Sequence, residues 1–375
     1  MTVPPAVESA MHQAVVDGVF PGAVLSVRYR SGLTYTVPVG RLWHEQTSAR
    51  VESSTIYDLA SLTKPLVTGT SVALLIQDGR LSSDSCIENV LEDLKGSAIG
   101  RATVRDLLAH CSGLPGWRPL YERLSAVGIG PGSPSQLRRD AVLKLIAQEP
   151  LVYERGSRSL YSDLGFILLG LLVEQVTEQR LDRWYDSAVA LPLQAAPLLF
   201  CPIELLDSAR IAPTEFDRGR AHWLQGEVHD ENAAALGGIA GHAGLFGTSQ
   251  AVLAVSGAWL RAWGGENGLL RSSTARTFTA RVPNVTQSSW ALGWDTPSAP
   301  SSSGRYFSAS SFGHLGYTGT SLWIDPERGL EVVLLSNRVH PTRKNEKIRD
   351  FRPHIHDIVL QEWQRSEEGA QAGSG

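Results

Sequence analysis

The stretch TSLWIDPERGLEVVLLSNRV, residues 320–339, decides the fold. It divides into two runs rich in β-branched and aromatic residues around a turn at residues 326–329, the pattern of an antiparallel strand pair. Two more strand-like runs stand near the other end of the chain. AVLSVRYR (23–30) follows Gly22, and a turn at Ser31 and Gly32 leads into LTYTVPVG (33–40). Before them, Val7, Met11, Ala14 and Val15 recur at i, i+4, i+7 and i+8, which predicts a helix over 6–17 that stops at Gly18. After the last strand, PHIHDIVLQEWQR (353–365) reads as a closing helix with Pro353 at its start, and the tail 367–375 as frayed. The middle of the chain is mainly helical. Pro65 opens a helix over 66–81, and VRDLLAH (104–110), AVLKLIAQ (141–148) and GFILLGLLVEQVTEQ (165–179) are the clearest of the rest. The expected fold is therefore α/β, in the α+β sense: an antiparallel sheet flanked by helices and built from both termini. Residues 1–80 plus 265–375 would form that sheet domain, and 81–264 an inserted, mostly helical domain. A cleft between two such lobes is where a ligand site is expected.

Composition narrows the function. The 375 residues are 42% hydrophobic and 19% charged, enough to bury a sizeable core. A net charge of −4 and the lack of any Lys/Arg run argue against nucleic acid as a partner. No apolar run approaches the roughly 18 residues of a membrane helix. Residues 1–20 contain Glu8 and Asp17 and do not read as a signal peptide. Cys86, Cys111 and Cys201 form no disulfide framework, as in a reducing compartment. The expectation is a cytoplasmic protein whose oligomeric state stays open.

Three segments can carry chemistry. In YDLASLTKPLVT (57–68), Ser61 and Lys64 stand three apart at a helix start, which places them on one helix face. A serine hydroxyl needs a neighbouring base to become a nucleophile, and a lysine can serve once its pKa is lowered. Taken alone, the pair also fits a capping serine beside a solvated lysine. In RSLYSDLGFILLG (158–170), Tyr161 offers a phenol at the entrance of an apolar helix, while Ser162 or Asp163 could simply cap that helix. In SFGHLGYTGTSLWIDP (311–326), Gly313, Gly316 and Gly319 permit close backbone approach. His314 and Thr318 could line a cleft there, with the Tyr317 N–H aimed at an oxyanion; an edge strand with glycine bulges is the plainer reading.

In this order the three segments resemble the S-x-x-K, S-D-N and K-T-G set of the penicillin-binding-protein and serine β-lactamase superfamily. The likeness is greatest to its class C β-lactamase-related hydrolases, which include esterases and D-amino-acid peptidases. LLAHCSGLPGW (107–117) resembles a loop that often reads His-Thr-Ser-Gly-Leu in these proteins, and DENAAALGGIAGHAGLFGT (230–248) resembles a segment of its uncharacterised hydrolases. The resemblance spans residues 5–363 and implies a β-lactamase/transpeptidase-like fold. It implies Ser61 as the acyl-forming nucleophile, Lys64 as proton acceptor or relay, and Tyr161 as the phenol that assists attack and later activates water. The N–H groups of Ser61 and Tyr317 match the oxyanion hole. Whether lysine or tyrosine is the base stays open, because coupled groups titrate together.

Two positions depart from the pattern. Asp163 replaces the usual asparagine; it would raise the Lys64 pKa, orient a protonated lysine, or receive a substrate amine. His314 replaces the lysine that holds a substrate carboxylate, which argues against carboxylated β-lactams. The leading expectation is a carboxylesterase on small acyl esters, without metal or organic cofactor. The alternatives are a D-aminopeptidase, a D-Ala carboxypeptidase, a weak β-lactamase, or a binding module with little catalysis.

Other features have plainer readings. His354 and His356, two apart on a helix, diverge too far to share a metal ion. His229, Asp230, Glu231 and Asn232 order a loop or line the cleft, and His242 could face the same cleft as a substrate-binding residue. His110 supports the loop around it. Trp117 and Trp290 could form an apolar substrate wall. No G-x-S-x-G elbow, P-loop or G-x-G-x-x-G fingerprint occurs.

Overall fold

The computed structural model describes residues 2–29, 32 and 34–372. Its centre is a five-stranded sheet to which both ends of the chain contribute. Helix α1 (Pro5–Val16) precedes β1 (Gly22–Tyr29) and β2 (Thr34–Gly40). After the middle of the chain come β3 (Phe312–Leu315), β4 (Ser321–Asp325) and β5 (Leu330–Ser336). The spatial order is β2-β1-β5-β4-β3, antiparallel throughout. Leu25 faces Leu334 and Val27 faces Val332 across the central pair, which joins the two termini. The Gly32 N–H closes onto the Tyr29 carbonyl in the β1–β2 connection, whereas Ser31 of the expected turn lies outside the described residues.

Alternation along the strands gives the sheet two buried faces. Leu25, Val27, Val332 and Leu334 pack under α1 and the closing helix, Ile348–Ala372. That helix starts five residues ahead of Pro353, which stands inside it rather than at its start. Proline there forfeits one backbone bond; Ile348 and Phe351, both buried against the sheet, hold the turn before it. The helix also continues through Ala372, so the described part of the tail is helical. His354 and His356 take different sides of it, one exposed and the other buried against the Ser302 carbonyl.

The opposite face meets a helix at Ser249–Trp263. This seam is partly polar. Glu331 is buried, accepts from Ser256, and pairs with Arg28 at 2.7 Å. Removing one member of a buried pair strands the other charge. Arg28→Met should therefore lower unfolding free energy by about 3 kcal/mol, and adding Glu331→Gln should restore part of it; urea denaturation checks both.

Beyond that seam lie the helices of the middle region, including Thr70–Gln77 and the strongly apolar Asp163–Thr177. A three-stranded sheet that sequence reading missed pairs Tyr57 with Gly247 and Asp58 with Phe246. It fastens the segment before Ser61 to the 238–248 loop. The cleft lies between strand β3, this small sheet and the start of the Asp163–Thr177 helix.

Candidate active site

The segment carrying Ser61 is not the continuous α-helix expected. Ala60–Leu62 is a 3₁₀ turn, Lys64–Gly69 a π-helical turn, and α-helix begins only at Thr70. Ala60 sits at φ +47°, a left-handed conformation that costs a side-chain-bearing residue free energy. Asp58 holds it there. One carboxylate oxygen accepts from the Ala60 N–H at 2.8 Å, the other from the His229 N–H at 2.8 Å, and the Asp58 carbonyl accepts from the Thr318 hydroxyl at 2.7 Å. One buried aspartate thus ties together the segments bearing Ser61, His229 and Tyr317. Sequence reading passed over Asp58, although an aspartate two residues before a turn is a known local cap.

Lys64 is fully buried, and all three of its ammonium hydrogens are engaged. Nζ donates to Ser61 Oγ at 2.9 Å and to the His242 carbonyl at 3.0 Å, and pairs with Asp163 Oδ1 at 2.7 Å. Burial pulls the Lys64 pKa down, but Asp163 and Tyr161 outweigh it and hold it above the ordinary lysine value. Lys64 is therefore an ammonium at rest.

Tyr161 places its ring 4.8 Å from Lys64 Nζ and packs against His110, Trp290 and His314. Its hydroxyl is shielded and makes no well-aligned hydrogen bond among the described residues, yet it lies near enough to Lys64 and Ser61 for both to act on its pKa. Burial pushes the phenol up to about 12 against the pull of Lys64, so it is un-ionised at neutral pH. His110 carries no proton on Nδ1, because that atom accepts from the Ser162 N–H at 3.1 Å. Its carbonyl accepts from Leu160 N–H and from the Tyr153 hydroxyl, which fixes the approach to Tyr161. Ser162 caps the Asp163–Thr177 helix, leaving Asp163 in its first turn, free to meet Lys64.

The turn after β3 supplies the other wall. Gly316 N–H donates to the Thr320 carbonyl at 2.7 Å, and no described backbone carbonyl takes up the Tyr317 N–H. A side chain at Gly316 would meet the Leu59 carbonyl at 2.7 Å, and Gly319 sits at φ +117°, so both need to be glycine. Arg352, buried, clamps this turn by donating to the Gly316 and Thr320 carbonyls at 2.6 and 2.8 Å. Arg338 donates to the Tyr317 carbonyl at 2.9 Å and lies over its ring.

A cleft of about 690 Å³ opens onto this cluster. Ser61, Tyr161, Asp163 and His314 line it, together with the aromatic Trp117, Tyr121 and Trp290 and the cationic Arg349 and Arg352. His314 donates from Nδ1 to the Leu315 carbonyl at 2.8 Å, which leaves Nε2 a bare acceptor without a partner among the described residues. Burial and Lys64 push its pKa down to about 3, so it is neutral. Thr318 and His242 are placed differently from the expectation. Neither is among the lining residues: the Thr318 hydroxyl turns in to Asp58, and the His242 ring pairs with Asp230 at 2.8 Å. His242 reaches the site through its carbonyl, on Lys64. Asp230, which lines the cleft, is held well below the usual carboxylate range, His242 and the Ala233 N–H outweighing burial. Glu231 pairs with Arg343 at 2.9 Å, and Asn232 bridges the Arg118 carbonyl and Tyr121 N–H.

Known proteins share the family and the fold of this chain. The Beta-lactamase family model matches residues 7–355. Proteins of Salmonella schwarzengrund and Salmonella typhi named "Putative D-alanyl-D-alanine carboxypeptidase" are each 30% identical over 322 residues, 80% of this chain and 73% of theirs. Among solved structures, "EstCE1, a hydrolase with promiscuous acyltransferase activity" superposes with a TM-score of 0.71 at 22% identity, covering 93% of this chain and 97% of that one. Simvastatin synthase (LovD) from Aspergillus terreus gives 0.73 at 21%, covering 97% and 100%. At those identities the two structures testify to the fold alone. With a family match over nearly its whole length, the chain belongs to the Beta-lactamase family of serine hydrolases.

Proposed function

We propose that Ser61 is the nucleophile of an acyl-enzyme hydrolase whose preferred substrates are small acyl esters. The observation that carries this reading is the 2.9 Å contact between Lys64 Nζ and Ser61 Oγ, at a cleft that Tyr161 also lines. The hydroxyl attacks the ester carbonyl and the Ser61 and Tyr317 N–H groups take the oxyanion, where fixed dipoles act most strongly. The alcohol leaves, and water positioned by Tyr161 releases the acid. The aromatic wall of Trp117, Tyr121 and Trp290 suits an apolar acyl group. A cytoplasmic location belongs to the same reading, supported by three unpaired cysteines; no described helix is long and apolar enough to cross a membrane.

A D-Ala carboxypeptidase is the second reading. The names of the Salmonella relatives favour it, as do Arg349 and Arg352 at the cleft, where a carboxylate could settle. Against it stands His314, a neutral group bearing a lone pair where the resemblance expects a cationic lysine. The test is a panel of p-nitrophenyl acetate, nitrocefin and an acyl-D-Ala-D-Ala peptide. The ester should have the highest kcat/KM, by about tenfold or more, the step that one good polar contact supplies. Because burial and Lys64 push the His314 pKa down to about 3 and keep the ring neutral, the ranking should stay constant from pH 5 to 8. A peptide preferred over the ester would replace the first reading with the second.

A further inference from the structure

We propose that Asp163 is the terminal proton acceptor of a relay running from Ser61 through Lys64, so that the carboxylate holds the proton released during acylation. This rests on Ser61 being the nucleophile and names how that same site removes its proton.

The hydrogen-bond inventory leads there. An ammonium has three hydrogens and no lone pair. In Lys64 those hydrogens go to Ser61 Oγ, Asp163 Oδ1 and the His242 carbonyl. Lys64 can take the serine proton only by releasing one of its own, and of its two other partners a backbone carbonyl is not basic enough to keep it. Asp163 offers a carboxylate oxygen, and it makes the shortest of the three contacts at 2.7 Å. Tyr161 is a poor terminus: its phenol is un-ionised, and a phenolate would stand beside the Asp163 charge. An asparagine, which the resemblance expects at this position, could not accept the proton, so the relay depends on this aspartate.

The step balances. Nζ passes a hydrogen to Asp163 Oδ1, giving a neutral carboxylic acid; the amine turns the lone pair so freed toward Ser61, and the Ser61 O–H bond breaks as Nζ takes that hydrogen. The Oγ–C bond forms, and the carbonyl π pair moves onto oxygen. When the intermediate collapses, that pair re-forms the carbonyl and the bond to the leaving alkoxide breaks. Lys64 protonates the alkoxide while Asp163 returns its proton to Lys64. Ammonium and carboxylate are both restored, and Tyr161 remains a phenol available to hold the water of deacylation.

Other titratable groups facing the pair are His110, His314 and Asp230 with His242. His110 and His314 are kept neutral by burial and by Lys64, and Asp230 is kept ionised, so none of these three changes charge between pH 5 and 9. His242 is covered by measuring the same profile in His242→Gln.

The experiment is the pH dependence of kcat/KM for p-nitrophenyl acetate in wild type, Asp163→Asn and Asp163→Glu. In Asp163→Asn the only acceptor left is a neutral Lys64 amine; without Asp163 burial pulls the Lys64 pKa down, and the amine forms as pH rises through that lowered value. Its acid limb should move up by about one pH unit or more, with kcat/KM down about 30-fold at pH 6 and within about tenfold of wild type at pH 9. Asp163→Glu should keep the limb near the wild-type position. Should Asp163→Asn not fold, Asp163→Ser is read the same way. An unmoved or downward-moving limb in the folded variant overturns the relay. Covalent labelling of Ser61 by a fluorophosphonate in wild type tests the nucleophile separately: a labelled Ser61 with an unmoved limb removes the relay alone, and an unlabelled Ser61 removes the underlying reading.

Discussion

Ser61→Ala should leave a folded protein whose kcat for p-nitrophenyl acetate is lower by about 10⁴–10⁶-fold, the cost of deleting a nucleophile that works as a unit with its base. The fold should not notice. Among the described residues, the one side-chain hydrogen bond of Ser61 Oγ comes from Lys64, and Lys64 keeps Asp163 and the His242 carbonyl without it. The left-handed Ala60 is held by Asp58, whose carboxylate accepts from two backbone N–H groups. KM should change little, because the aromatic wall and the Tyr317 turn are untouched. Steady-state kinetics with a thermal melt by circular dichroism reads both halves, and near-parental turnover in a folded Ser61→Ala variant would remove Ser61 from the chemistry.

Lys64→Met should be nearly as damaging to activity and, unlike Ser61→Ala, damaging to stability. Methionine fills similar volume without charge, so Ser61 loses the group that relays its proton, and kcat should fall by about 10³–10⁴-fold. The Asp163 carboxylate then faces a largely buried site without its cation, at a cost of about 3 kcal/mol. Adding Asp163→Asn to Lys64→Met removes the stranded charge and should recover part of that stability but none of the activity. Urea denaturation of the four members of this cycle gives the coupling directly. If the double variant is as unstable as the sum of the singles, the ion pair is not what holds this corner of the cleft.

The sheet was legible because its cause is local. Near-continuous apolar residues in 23–29 and 330–336 mark strands with two covered faces, and the structure pairs the two. The Ser61 segment was legible in its chemistry but not in its shape. A spacing of three brings Ser61 and Lys64 together on an α-helix, and they do meet, yet across a 3₁₀ turn and a π turn. That geometry depends on the small sheet and on Asp58 and Thr63, each of which joins a local bond to Ala60 with a long-range one, from the His229 and Leu245 N–H groups respectively. Pro353 misled for a similar reason. Proline suits a helix start, but buried Ile348 and Phe351 extend the helix ahead of it. Thr318 has the composition of a substrate-facing residue, and only the turn geometry shows that its hydroxyl points to Asp58. Arg352 carried no sequence signal, since its partners are backbone carbonyls thirty-two and thirty-six residues away.

Mass spectrometry after treatment with a fluorophosphonate ester is the most direct measurement of the central assignment. A single phosphonyl adduct on the peptide containing Ser61, slowed by competing p-nitrophenyl acetate and missing in Ser61→Ala, is the expected result. An adduct on another serine, or a protein that cleaves the ester while Ser61 stays unmodified, would contradict it.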